Sequence, residues 1–149
     1  MSRRIALSAA AAVVVLGGAG AFALAYAGDE QAPALDGSTA RYTAPQGDRD
    51  GSFTFTTDVT ASSGVKSVKV LAWPADSSLA EQEPTAKEMA DVEAATCEST
   101  GDDTTKCTYR TPVPAAEATP KGDWYVATLT TAKDGTTTLN TKTTTFTVK

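Results

Sequence analysis

The chain of 149 residues contains no histidine. That removes Ser-His-Asp and Cys-His nucleophilic catalysis, in which an imidazole takes the proton from the attacking group. It also removes the usual zinc, copper and iron sites, because the only soft ligands left are the sulfurs of Cys97 and Cys107. Neither a G-x-G-x-x-G nor a G-x-x-x-x-G-K-[ST] motif is present, so no nucleotide cradle and no cofactor are expected. Carboxylates, aromatic rings and one pair of thiols are what remains.

The carboxylates are numerous but unmarked. Asp48-Arg49-Asp50-Gly51 alternates acids before a glycine, as a loop around a hard cation does. A full calcium loop needs further oxygen ligands and a distant bidentate acid, and the sequence lacks them, so the fragment reads as a plain turn. Asp102-Asp103 reads as a solvated turn as well. Two carboxylates can hydrolyse a glycoside. With 18 acids in a small chain, however, pairs arise by chance. No catalytic residue and no metal ligand is assigned, and the expectation is that the protein is not an enzyme. Asn140 is the sole asparagine. A covalent Lys–Asn crosslink would need Lys66, Lys69 or Lys142 beside it, and the sequence alone does not bring them together.

Aromatic side chains are the best candidates for binding. Trp73, Trp124 and Tyr125 are the expected ligand platform, with Tyr109 and Tyr42 as further members. Rings of this kind grip the flat faces of sugars, although in small domains they are more often core and sheet-edge packing. Neighbours on a strand point to opposite faces, so Trp124 and Tyr125 cannot both face inward.

The start of the chain sets the compartment. Arg3 and Arg4 precede an apolar run from Ile5 to about Leu24, followed by Ala25-Tyr26-Ala27 and Gly28. Small residues at Ala25 and Ala27 fit a signal-peptidase cut before Gly28, so residues 1–27 read as a secretory signal. The run is also about as long as a short membrane span, and an uncleaved anchor is the alternative. Cleavage leaves 122 residues, enough for one domain with a real core. It also leaves 11 basic against 18 acidic side chains, a net charge of −7. That balance argues against nucleic acid and against membrane binding after cleavage. Two cysteines in an exported chain favour a Cys97–Cys107 disulfide. Free thiols or a redox pair are the alternatives, and a redox pair usually has C-x-x-C spacing.

Positioning these residues requires a sheet scaffold. Residues 28–40 are small and polar and read as a flexible leader. Phe53, Phe55, Thr57 and Val59 alternate with polar residues in a half-buried strand. After the turn Ala61-Ser62-Ser63-Gly64, Val68, Val70 and Ala72 mark a second strand closed by Pro74. The stretch from Ala75 to Ala95 lacks β-branched residues until Val92, Thr85 apart, and Ala86, Met89, Ala90 and Glu93 fall at helical spacing. A short helix is expected over 84–93, with Thr85 or Ser78 as its cap. A hairpin then joins 94–99 to 104–111 and carries both cysteines. A proline-punctuated loop leads to a final hairpin, 124–131 and 136–148, turning at Asp134-Gly135. Threonine crowds this last part, and its stiff branched side chain suits the pleat. The expected fold is all-β, a β-sandwich over 41–149 with one helical excursion between strands.

Two passages carry a family resemblance. Asp58 to Val70, and Gly122-Asp123-Trp124-Tyr125 through Gly135 to Phe146-Thr147-Val148, resemble the strand-turn-strand and final-hairpin segments of bacterial immunoglobulin-like and fibronectin-like repeats. With the helix and the cysteine pair, the whole resembles a group of small secreted actinobacterial proteins of unknown function. The resemblance implies an immunoglobulin-like sandwich and leaves the function open, since this fold hosts unrelated activities. The expectation is a secreted, non-enzymatic binding or structural module outside the cell. Its partner would be a cell-wall polymer, a polysaccharide or another secreted protein. An inhibitor of an extracellular hydrolase, presenting the disulfide hairpin beside the loop Thr111–Pro120, is the second expectation, and a carboxylate glycosidase the third.

Overall fold

The computed structural model describes residues 32–149. The segment read as a secretory signal, with Ala25, Ala27 and Gly28 at the expected cut, lies outside the described residues. In the described residues seven antiparallel strands, a 3-10 turn (Ser78–Ala80, after β3) and one α-helical turn follow one another: β1 (Ala34–Thr43), β2 (Gly51–Thr60), β3 (Val65–Pro74), α1 (Ala86–Met89), β4 (Thr96–Ser99), β5 (Thr104–Val113), β6 (Gly122–Ala132) and β7 (Thr137–Val148). They form two sheets, ordered β1-β2-β5-β4 and β3-β6-β7. This is the strand order of a seven-strand constant-type sandwich, four strands facing three.

Alternation in the sequence sets which face each strand buries. Along β2 every second residue, from Phe53 to Val59, is buried. Those side chains meet Val68 and Val70 of β3, Cys107 of β5 and Val126 of β6 between the sheets. The inter-sheet layer also holds buried polar groups, most of them placed by a specific bond, while the Thr130 hydroxyl has no partner. Thr57 shares a 2.8 Å hydroxyl–hydroxyl bond with Ser38, and Thr128 shares one of 2.7 Å with Thr143. Such bonds offset the cost of withdrawing a hydroxyl from water.

A leader over 28–40 is a correction: from Ala34 onward the chain is strand β1. Leu35 is only 5% exposed opposite Val59, and Ala40 packs toward Phe55. One large apolar residue in this stretch hid the period of two, because β1 is an edge strand whose other face meets water. A register shift between Asp36 and Thr39, with Gly37 at φ +58°, further breaks the alternation.

Both open edges of the sandwich are guarded. At the β1/β7 edge the Thr138 hydroxyl donates to the Pro33 carbonyl at 2.6 Å. At the β3/β4 edge Ala95 N–H donates to Val68 O at 2.7 Å and Val70 N–H to Glu93 O at 3.1 Å. The residues leading into β4 thus bridge the two sheets and leave little free edge for a foreign strand.

The helix expected over 84–93 is a single turn. Thr85 and Glu88 form a capping box: Glu88 N–H donates to Thr85 Oγ1 at 3.3 Å and Thr85 N–H to Glu88 Oε2 at 2.9 Å. The Thr85 N–H, and the Thr85 hydroxyl at 3.0 Å, both donate to Glu88 Oε2 and hold the Glu88 carboxyl below its ordinary pKa. The turn stops because Glu93 is already committed to the β3 edge, which requires extended backbone. Its purpose in the fold is to bring Met89 down on Trp73, Ala127 and Leu129, a second apolar cluster on the outer face of β3-β6-β7.

Candidate functional site

Three expected platform residues do not form one platform. Trp73 is a correction: it is 1% exposed, covered by Met89, and its indole N–H donates to Thr141 O at 3.3 Å. Odd-numbered residues near the end of β3 face the outer cluster, so the excursion that follows the strand folds back over this ring. Tyr125 lies on the same outer face, 4.8 Å from Trp73 between ring centroids. Lys142 Nζ stands 5.1 Å over the Tyr125 ring and 3.1 Å from Glu83. Trp124 points the other way, toward the space between the sheets, and its N–H donates to Pro120 O at 2.9 Å.

Around Trp124 the structure gathers a different aromatic group. Trp124 and Phe146 are direct cross-strand partners, with centroids 5.8 Å apart and ring planes at 26°. Phe146 meets Tyr42 across the β1/β7 edge at 6.1 Å and 21°. Phe53, buried, backs Phe146 at 4.9 Å, and Tyr109 stands 6.2 Å from Phe53. Tyr42, Phe146 and Trp124 are each half-buried, so near-parallel rings from β1, β7 and β6 reach the surface at one end of the sandwich. That end also carries the β1–β2 loop and the proline-rich β5–β6 loop, tied by the Ala115 N–H to the Asp50 carboxylate at 2.9 Å.

Phe146 and Phe53 were not among the expected site residues. Pairing outward from the Asp134-Gly135 turn sets Thr131 against Thr137 and Thr128 against Asn140. Continued without interruption, it would place Thr144 opposite Trp124. A register shift between Val126 and Thr128 inserts two residues into β7 and delivers Phe146 instead. The repeated threonines of β7 give no sequence cue to that shift.

The opposite end of the sandwich is closed by three tight turns bonded to one another. Ala61 N–H donates to Asp103 O at 2.9 Å and Lys133 N–H to Gly64 O at 2.9 Å. The turn needs glycine at position 64: its φ is +89°, and a Cβ there would come 3.2 Å from the Lys133 side chain. The Asp134 carboxylate takes the Thr136 hydroxyl and N–H, which lowers its pKa.

Cys97 and Cys107 are direct partners on β4 and β5 and form a disulfide, with Cys107 fully buried. The hairpin tip it braces and the Thr111–Pro120 loop lie at opposite ends of β5, about 30 Å apart for a ten-residue strand. The combined presenting surface expected of an inhibitor is therefore not formed. Asp48-Arg49-Asp50 makes a turn, with Gln46 and Arg49 exchanging backbone bonds of 3.0 and 3.1 Å. Among the described residues no group of three or more acids or cysteines could hold a metal ion. Asn140 is buried, and its carbonyl oxygen accepts from Lys142 N–H at 3.1 Å. Lys69 Nζ is engaged by Val92 O at 3.0 Å and Lys142 Nζ by Glu83, so neither amine faces the amide. The carboxylates of the described residues are exposed, Asp58 being half-buried. A general acid needs the opposite setting, burial that raises its pKa. Among the described residues the one large shift belongs to Tyr109: burial and then the 2.7 Å bond to Glu93 push its hydroxyl up to about 12.

No curated protein and no solved structure matches the chain. A family described as "Family of unknown function (DUF5707)" matches residues 35–130, from β1 through most of β6. That span is more than half of the chain, and the protein belongs to the DUF5707 family of unknown function.

Proposed function

We propose that the protein is a secreted, non-catalytic module that binds an extracellular polymer at its aromatic end. The observation that carries this reading is the row of half-buried rings Tyr42, Phe146 and Trp124, drawn from three strands of both sheets. Rigid rings on paired strands lose little entropy when a flat ligand packs on them. A cell-wall polymer or polysaccharide offers such faces, with one C–H-rich side per sugar ring. The secretory signal read over residues 1–27, the disulfide and the resemblance to small secreted immunoglobulin-like proteins of actinobacteria all support an extracellular place for it. A non-catalytic role agrees with the exposed, dispersed carboxylates.

The test is co-sedimentation of the purified exported protein with isolated cell wall and with insoluble polysaccharides at two salt concentrations. Part of the pelleting is expected to survive salt and to disappear in the Tyr42→Ala/Trp124→Ala double variant. Trp124 emission should shift on binding, while buried Trp73 does not respond. Equal pelleting of parent and variant, or none with any polymer, would overturn the assignment.

A further inference from the structure

The protein has three arginines beyond residue 31, Arg41, Arg49 and Arg110, and all three lie at the aromatic end of sheet β1-β2-β5-β4. Arg41 and Arg110 are the cross-strand partners of Thr54, one on each side. Phe53 and Phe55 point to the core, so Thr54 and both arginines share the outer, solvent face. Strands lie about 4.8 Å apart, which separates the two arginine Cα atoms by about 10 Å. Two such side chains can converge over Thr54 or contact successive charges on a chain. The next row on this face is Thr39, Thr56, Thr108 and Thr96, a continuous line of hydroxyls across all four strands. Arg49 stands in the β1–β2 turn at the rim.

Among the described residues no acid stands within ion-pair distance of these three cations. The only ion pair within 4.0 Å among the described residues is Lys142–Glu83. The acids on the same face, Asp36, Asp58 and Glu98, share the row beyond the threonines with Lys106, about 13 Å from the arginines. Asp48 and Asp50 lie in the turn with Arg49, and Asp50 is occupied by the Ala115 N–H. Guanidinium forks suit carboxylate and phosphate oxygens through paired N–H bonds, and adjacent hydroxyls supply further donors. Arg41 is also the chain neighbour of Tyr42, which faces the other side of the sheet at the β1/β7 edge. A polymer crossing that edge meets a ring and then a cation.

Taking the aromatic end as a polymer site, we propose that the polymer is anionic, and that Arg41 and Arg110, with Arg49 at the rim, bind its carboxylate or phosphate groups. The net charge of −7 from Gly28 onward makes the test sharp, since such a protein is repelled by an anionic matrix unless a local site holds it.

The experiment compares retention of the purified exported protein on cross-linked dextran, carboxymethyl-dextran and phosphorylated dextran. Retention on at least one charged matrix should exceed that on the neutral matrix about tenfold at low salt and fall to the neutral level at high salt. The two charged arms tell carboxylate from phosphate. The Arg41→Ala/Arg110→Ala variant, with its fold checked by circular dichroism, should lose that excess. Exclusion from both charged matrices, or unchanged retention of the arginine variant, overturns the proposal. The Tyr42→Ala/Trp124→Ala variant runs in parallel. If it alone loses retention, the polymer reading stands and the anion site falls. If the arginine variant alone does so, the anion site stands without the aromatic one.

Discussion

Met89→Ala tests whether the excursion between β3 and β4 truly seals the outer face of the three-stranded sheet. Met89 is fully buried against Trp73, Ala127 and Leu129. Truncation removes three heavy atoms from that contact. At about 0.8 kcal/mol per buried methylene-sized group this is about 2.4 kcal/mol, and any residual cavity adds to it. A four-residue helix can settle inward more easily than a rigid core, so the expected loss is about 2–3 kcal/mol, at the low end for methionine truncations. The assay is urea unfolding followed by tryptophan emission in a Trp124→Phe background, where Trp73 is the single reporter. At a slope of about 1.5 kcal/mol/M the midpoint should fall by about 1.3–2 M. Emission of the folded state should move to the red, and quenching by acrylamide should rise. An unshifted spectrum together with a midpoint change below about 0.3 M would show that Met89 does not cover Trp73, and the account of this second cluster would be wrong.

Two further outcomes are expected. Replacing both cysteines by alanine removes a crosslink with a sequence separation of 10, for which loop-closure entropy gives about 2.5–3 kcal/mol; a loss under about 1 kcal/mol in urea unfolding would show that strand pairing alone holds β4. Tyr109 should ionise near pH 12, read by absorbance at 295 nm as the transition that Tyr109→Phe removes, because burial and Glu93 disfavour the phenolate. Since the folded state holds this proton more tightly than the unfolded chain, the associated stability is present below about pH 10 and is lost as pH rises toward 12. Glu93→Gln should bring that midpoint down, and ionisation of Tyr109 near the ordinary tyrosine value of about 10 would contradict the assignment.

Much of the fold was legible from residue pattern. The period of two from Phe53 to Val59, the Ala61–Gly64 turn and the Asp134-Gly135 turn each correspond to observed elements. Such signals are local: alternation reports one buried face, and a turn residue reports its own φ. The capping box at Thr85 and Glu88 is local too, and the structure realises it. The extent of that helix was not legible, because its end is set by a bond from Val70 to Glu93 across 23 residues. Strand β1 escaped notice for the same reason. Leu35 and Ala40 acquire a buried face only once β2 lies beside them.

The candidate site divides along the same line. Sequence alone determined the chemistry available: the chain has no histidine, one pair of cysteines and an acidic excess, so no imidazole can serve as base, acid or ligand. It also determined which residues carry rings and which carry guanidinium groups. Tertiary structure decided which of them meet. It withdrew Trp73 beneath Met89, turned Tyr125 away from Trp124, and used a register shift in β7 to set Phe146 between Trp124 and Tyr42. It placed Arg41 and Arg110 on either side of Thr54, although they are far apart in the chain. The physical reason is that side-chain direction follows from local periodicity, whereas proximity depends on sheet order and register, which only the assembled strands set.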